Sequence, residues 1–549
     1  MFVRKLTLSK EGRQYSYLKV VENSWQQGRA VQRTVVNLGN VEGWPNEKLE
    51  QLVGVLTGFL EMDMVALSSV RFGECRMLGP YLALSRLWER VGVDEILARA
   101  FAPRKVDQRA ISCAKAMVLS RLVEPASKKA VWESVSRDYE IPGVDGSSLP
   151  LASYYRTLEY LSEEKTKIEK AIHGRLVNLF NQDVSMVFYD LTSAYFEGRC
   201  CGMAKHGYSR EHRPDLVQIE IGLLVDAEGL PIGHQVFDGN LKDVTTVLGA
   251  LSRLRDEFGV KRCVFIGDDG MASEANLMEV ASRGYEYITS LSLGKSKVGG
   301  KLLDEARRPP HWTRIAENLS LEPLAKPDGV RYIATYNPDR AASTREHRKV
   351  HLRSSIGFLR GLAAGPKPRG RKRSIDETFA AADRFLVRKG CQDLIRLERR
   401  VDGLWWTLDR GALRKACRMD GILVLKTNSQ SLSDADVARG YRTLWRVEDA
   451  FRHIKDGIGL RPIRHWNDSR VLGHVFVCVL AYTLERLYER ELAKARLDAT
   501  ARAALDELRS IMVATLAAGQ KHLRRRSEIT PRQRQLLAAA GVTEVPELW

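Results

Sequence analysis

Cysteine is scarce in this chain: eight in 549 residues, none in a Cys-x-x-Cys pair, with Cys200 and Cys201 adjacent. That argues against a disulfide scaffold and a ribbon-type zinc site and suits a reducing compartment. Long apolar runs are also missing. The longest of note, Val475 to Tyr482, falls well short of the roughly twenty residues a bilayer requires. The opening Met1-Phe-Val-Arg-Lys has no apolar core of a signal peptide, so the chain is expected in the cytoplasm with no membrane partner. No Gly-x-Gly-x-x-Gly or Walker loop follows any strand-like segment, which disfavours nucleotide binding by those routes. Acidic residues are outnumbered, 68 against 86 Lys and Arg, leaving a net charge of +18. A positive balance of this size suits a polyanion such as nucleic acid. A hydrophobic content of 44% is enough for packed cores, and the length implies more than one.

Five textures succeed one another. Residues 1–70 read as a β-rich region, with Tyr15 to Val21 and Arg33 to Leu38 clustering β-formers. Residues 71–182 turn helical, with apolar residues at three- and four-residue steps between Leu84 and Phe180. Residues 183–292 give the order β-β-β-α-β-α-β, a mixed sheet opened by a meander rather than a doubly wound domain. Residues 293–433 interrupt this pattern as a β-rich insertion carrying the basic run Lys367 to Arg373. Residues 434–549 return to helix and complete the sheet's domain.

Three acids stand out. Val437, Tyr441, Leu444, Glu448, Phe451, Lys455 and Ile458 follow steps of four and three, one stripe on a single helix. The stripe is apolar except for Glu448 and Lys455, and a carboxylate in a packing stripe is costly unless it has a partner or a metal. A Glu448–Lys455 ion pair is one solution. Asp190 and Asp268 offer another, since each ends a buried-type strand, and in this β-β-β-α-β order the two strands are expected to be neighbours. Three hard oxygen ligands without His or Cys suit two Mg²⁺ ions, or Mn²⁺ in their place. Such a pair activates a water or a 3′-hydroxyl for in-line phosphodiester chemistry.

Several segments carry a family resemblance. Phe188-Tyr-Asp-Leu-Thr-Ser, Gly207-Tyr-Ser-Arg-Glu-His-Arg-Pro-Asp-Leu-Val-Gln and Gly229-Leu-Pro-Ile-Gly-His are similar to segments of bacterial DDE transposases of the insertion-sequence-four type. Phe265-Ile-Gly-Asp-Asp-Gly-Met resembles the strand bearing that family's second acid, which points to Asp268, with the adjacent Asp269 as its rival. Tyr441, Glu448 and Lys455 match three positions of the family's Tyr-Arg-Glu-Lys signature, whereas Leu444 stands where Arg is usual. Arg442 and Arg446 are the nearby substitutes for that contact, and neither shares the stripe. The resemblance implies a ribonuclease-H-like catalytic core interrupted by the insertion. Asp190, Asp268 and Glu448 would be its catalytic metal ligands. It implies cleavage and joining at the ends of an insertion sequence, double-stranded DNA as partner, and a homodimer on that DNA within the nucleoid. A nuclease that does not join strands, and a non-catalytic DNA-binding derivative, are the rival readings.

Around the acids, Lys455 is expected to hold a phosphate beside the scissile bond, as its family counterpart does, and Tyr441, two turns before Glu448, is a candidate for hydrogen-bonding a terminal phosphate. Packing and carboxylate pairing are the plainer alternatives for both. Arg452 and Arg461 add local positive charge. Trp406, with Trp405, is a candidate for stacking on an extruded base, against the commoner use of Trp in a core. The helices of 71–182 are the best candidate for reading terminal inverted repeats.

Overall fold

The computed structural model describes residues 2–10, 13–26, 29–58, 70–180, 185–211, 213–241, 246–260, 263–267, 273–291, 312–324, 330–364, 374–400, 403–518 and 521–547. The basic run 367–373 and both Asp268 and Asp269 lie outside the described residues. The chain divides into two compact units, one of residues 1–74 with 514–525, the other of residues 75–513 with 526–547.

In the first unit Phe2–Lys10, Arg13–Gln26 and Arg29–Asn40 pair as an antiparallel meander, followed by the helix Asn46–Gly58. A second sheet orders the strands Lys521–Arg526, Met512–Ala518 and Val70–Met77. Strand was not expected near the C-terminus, where the Ala-rich Met512–Ala518 reads as helix. Pairing overrides that local preference.

The second unit is built on a nine-stranded mixed sheet. Its strands are β1 (Met186–Tyr195), β2 (Gln218–Val225), β3 (Pro231–Asp238), β4 (Val264–Gly267), β5 (Glu286–Ser290), β6 (Thr313–Ala316), β7 (Leu319–Pro323), β8 (Arg331–Tyr336) and β9 (Ile422–Thr427). They lie in the order β6-β7-β8-β9-β5-β4-β1-β2-β3. β1, β2 and β3 form an antiparallel meander, and β4 and β5 run parallel to β1. From β5 outward every pair is antiparallel, so the insertion's strands extend the sheet instead of forming a separate one. Between β8 and β9 stand the helices Pro338–Ala363, Ile375–Lys389 and Arg410–Arg418 and the hairpin Ile395–Arg400/Gly403–Leu408. The insertion is therefore mixed rather than β-rich.

Successive β1 side chains enter different cores, as strand alternation requires. Val187, Tyr189 and Leu191 face one, with Leu251 and Val280 from the helices Thr246–Ser252 and Glu274–Ser282. Phe188 and Ala194 face a larger core on the other side. That larger core also takes in the helices between Gly79 and Phe180 and the long helix Asp468–Lys494, so the helical region is not a body of its own. Asn467 caps the long helix by accepting from the Arg470 amide. Gly473 lets it approach the helix Leu151–Glu163, where a Cβ would fall 2.1 Å from the Leu158 carbonyl oxygen. This 27-residue helix contains Val475–Tyr482 and one 18-residue window with the mean hydropathy (1.3) of a membrane span, yet 89% of that window is buried inside the protein. It is the central helix of a packed core.

Candidate active site

Asp190 lies in the middle of β1, not at its end, because Leu191 to Tyr195 continue the pairing with β2. It stands opposite Leu223, and one of its carboxylate oxygens accepts a 2.8 Å hydrogen bond from the Leu191 amide. Alternation puts it on the face of Phe188, toward the larger core. The neighbour relation expected of β1 and β4 holds: Met186, Val187 and Phe188 pair in parallel with Val264, Phe265 and Ile266. Asp190 is two residues beyond Phe188, and Asp268 is two residues beyond Ile266. The described part of β4 ends at Gly267.

The segment bearing Glu448 covers the same face. Gly440 brings the helix Asp434–Arg442 onto the sheet, where a Cβ would stand about 3.5 Å from side-chain atoms of Met186, Ile266 and Ile288. The single helix expected from the periodicity is broken, however. The Thr443 hydroxyl donates to the Gly440 carbonyl at 2.6 Å, and the amides of Leu444, Arg446 and Val447 each bond three residues back. These tighter bonds shift the helical phase before Trp445–Arg452 resumes and passes into the π-helical turn His453–Gly457. Val437, Leu444, Phe451 and Ile458 of the stripe are buried, Tyr441 and Lys455 are half-buried, and Glu448 is exposed. Val447 takes the inward place instead. Glu448 thus escapes the desolvation that its stripe position suggested.

Lys455 does not pair with Glu448. Its ammonium meets the carboxylate of Glu211, which also meets Arg461. Arg461 reaches Asp456 as well, at 2.6 Å. Burial pushes the Lys455 ammonium down to about 8 and Arg210 adds to that, while Glu220, Asp456 and Asp190 pull it upward. Arg210 itself is held by Glu220 at 2.6 Å. A cleft of about 430 Å³ opens here, lined by Tyr195, Glu211, Arg213, Lys455 and Arg461 among others. Arg210, Glu211 and Glu220 are residues that spacing did not single out. Their signal was the alternation of charge in Arg210-Glu211-His212-Arg213, inside a segment noted only for its resemblance.

The other candidates lie apart in character. Arg452 is exposed and pairs with Asp449 at 3.1 Å. Tyr441 packs at the edge of the larger core. Of the proposed substitutes for Leu444, Arg446 binds the Ala227 carbonyl and Arg442 is exposed. Trp406 turns into the insertion's small core beside Leu404 and Ile395, while Trp405 is the exposed member of the pair, with the Arg400 guanidinium 4.2 Å from its ring centre. His234 is buried and His206 exposed; His212 lies outside the described residues. Among the described residues, no three His, Cys, Asp or Glu side chains come together as a metal site.

No relative among curated proteins matches the chain. Residues 183–484, more than half of it, match the family model described as the transposase DDE domain. The matched span runs from just before β1 into the long central helix and includes Asp190, Glu448, Lys455 and the residues that line the cleft. The chain belongs to the DDE-domain transposases.

Proposed function

We propose that this protein is the transposase of an insertion sequence of the insertion-sequence-four type. In this reading it binds the element's terminal inverted repeats as double-stranded DNA, cuts at the ends and joins them to a target. The observation that carries the reading is the parallel register of β1 and β4, which starts Asp190 and Asp268 from paired residues of adjacent strands. The β3-β2-β1-β4-β5 order, with a leading antiparallel meander, supports a ribonuclease-H-like core. The Glu448 helix packs on the Asp190 face of that sheet. Asp190, Asp268 and Glu448 are hard oxygen donors, which fit Mg²⁺ or Mn²⁺. Two such ions, when bound, supply a deprotonated water or 3′-hydroxyl and neutralise the leaving oxygen.

The chain's own groups do the positioning. Lys455 and Arg461 offer cations to the phosphates flanking the cut, with Arg452 further out on the exposed side of the helix. Tyr441 provides a hydroxyl for a terminal phosphate. Trp406 is partly buried in the insertion's small core, and the exposed Trp405 beside it offers the more open ring for stacking in the proposal. Both ends of an element must be brought together, so the active form is a homodimer on DNA.

The test uses a plasmid carrying the protein's gene with its flanking sequence, a second target DNA, and Mg²⁺. The expected result is release of 3′-hydroxyl ends followed by their covalent joining to the target, both abolished by EDTA. Cleavage without joining would reduce the protein to a nuclease, and no Mg²⁺-dependent cleavage by folded protein would overturn the reading.

A further inference from the structure

Glu211 occupies an unusual place for an acid in a chain of net charge +18. Its side chain is only 5% exposed, between Lys455 at 11% and Arg461 at 24%, on the wall of the open cleft. This carboxylate is shared by two cations of the cleft, of which Arg461 also reaches the more exposed Asp456 at 2.6 Å.

Neither side of this contact depends on it for anchorage. On the loop side, Arg210 is fixed by Glu220 at 2.6 Å, its amide donates to the Ser193 hydroxyl at 3.3 Å, and the Gln218 side-chain amide donates to the Tyr208 carbonyl at 3.0 Å. On the other side, Arg121 donates to the Ile458 and Gly459 carbonyls at 3.4 and 3.2 Å. His474 Nε2 donates to the Leu460 carbonyl at 3.1 Å. The turn that carries Lys455 and leads to Arg461 is thus held from the helical core. The backbone that carries the two cations is therefore anchored without Glu211.

We propose that the cleft is a subsite for a DNA phosphodiester and that Glu211 is its resident anion, displaced when the phosphate enters. The inference rests on the transposase reading and names how one of its contacts is made. A carboxylate and a phosphodiester oxygen accept the same charge-assisted hydrogen bonds from ammonium and guanidinium groups. Exchange of one for the other keeps both cations satisfied; in free protein Asp456 also reaches Arg461, so Glu211 chiefly spares the half-buried Lys455 from standing unpaired. Arg213, stacked over the Tyr195 ring at 5.5 Å and paired with Asp215, lines the entrance to the same cleft.

The experiment measures binding of a short fluorescein-labelled DNA duplex to the full chain by anisotropy, in EDTA, across a salt series. Glu211→Gln keeps the shape of the side chain and removes its charge. The expected result is affinity roughly three- to tenfold tighter than the parent at low salt, with a salt slope steeper by about 0.9, the value for one more neutralised phosphate. Glu197→Gln is the control, an exposed acid near the same end of the sheet that pairs with Arg464. It should change affinity less than Glu211→Gln does. Unchanged or weaker binding by folded Glu211→Gln, or an equal gain from Glu197→Gln, would overturn the proposal. If Glu211→Gln fails to fold, Glu211→Asp withdraws the carboxylate by one methylene, and a smaller gain in the same direction is expected; no gain overturns it. Absence of DNA binding by parent and variants alike would instead overturn the transposase reading.

Discussion

Glu169 and Glu211 are both carboxylates shared between two cations, but one pair of cations is sealed in and the other faces a cleft. Glu169, in the helix Lys165–Phe180, lies 3.0 Å from Lys165 and 2.6 Å from Arg253 and accepts from His234 Nδ1 at 2.6 Å. All four side chains are largely or wholly buried. Burial alone would raise the Glu169 carboxyl; Lys165, His234 and Arg253 hold it well below the usual carboxylate range. His234 is pushed down to about 4, first by burial and then by Lys165, so it stays neutral and donates to the carboxylate. Glu211 has the same ligand chemistry and the same 5% side-chain exposure, but its cluster lines an open cleft and one of its cations, Arg461, is 24% exposed against 6% for Arg253. Enclosure makes the first cluster a fastening between helix and sheet, and its absence leaves the second free to trade partners.

Stability separates the two most strongly. Glu169→Leu strands Arg253 and Lys165 in the interior and should cost about 3–5 kcal/mol. Glu211→Gln leaves Arg461 still paired with Asp456 and Lys455 on the wall of an open cleft, and should cost less, about 1–2 kcal/mol. Urea midpoints of the two variants, taken with a common m value, check the contrast, and equal losses would erase it.

A smaller effect depends on pH. The Lys455 ammonium sits near 8 in free protein, below its ordinary value. If Lys455 holds a DNA phosphate as proposed, its contribution is fully present below pH 8 and lost as pH rises through 8. DNA affinity should fall a few-fold between pH 7 and 9 in the parent, and Lys455→Arg, whose guanidinium does not titrate there, should remove that fall. A parent profile as flat as the variant's would place Lys455 outside the phosphate contact.

Local pattern revealed much of the scaffold and less of the site. Met186–Thr192 and Cys263–Gly267 were legible as strands because buried β-formers cluster there, and the β-β-β-α-β-α-β order follows from such segments. The break at Thr443 was not legible, since a threonine hydroxyl turning back on Gly440 leaves the apolar spacing intact. Glu448 therefore looked buried when it is exposed. The pairing of Lys455 was also hidden, because its partner comes from a loop 244 residues away in sequence. The shared core of the helical region and Asp468–Lys494 is likewise a tertiary fact. Both segments read as amphipathic or apolar helices, and nothing local says that each is the other's partner.

In the proposed mechanism three carboxylates, Asp190, Asp268 and Glu448, hold the ions that cut DNA. Glu448 allows the most direct test because it is exposed. Glu448→Gln should change stability by no more than about 0.5 kcal/mol, the scale of surface substitutions, so any loss of activity reads as chemistry. The measurement is Mg²⁺-dependent cleavage of end-bearing DNA by the folded variant, with binding monitored in parallel. The account predicts binding at least as tight as the parent's and cleavage and joining reduced by more than about a hundredfold, the scale of a misplaced reacting group. Cleavage within a few-fold of the parent would contradict the three-carboxylate site.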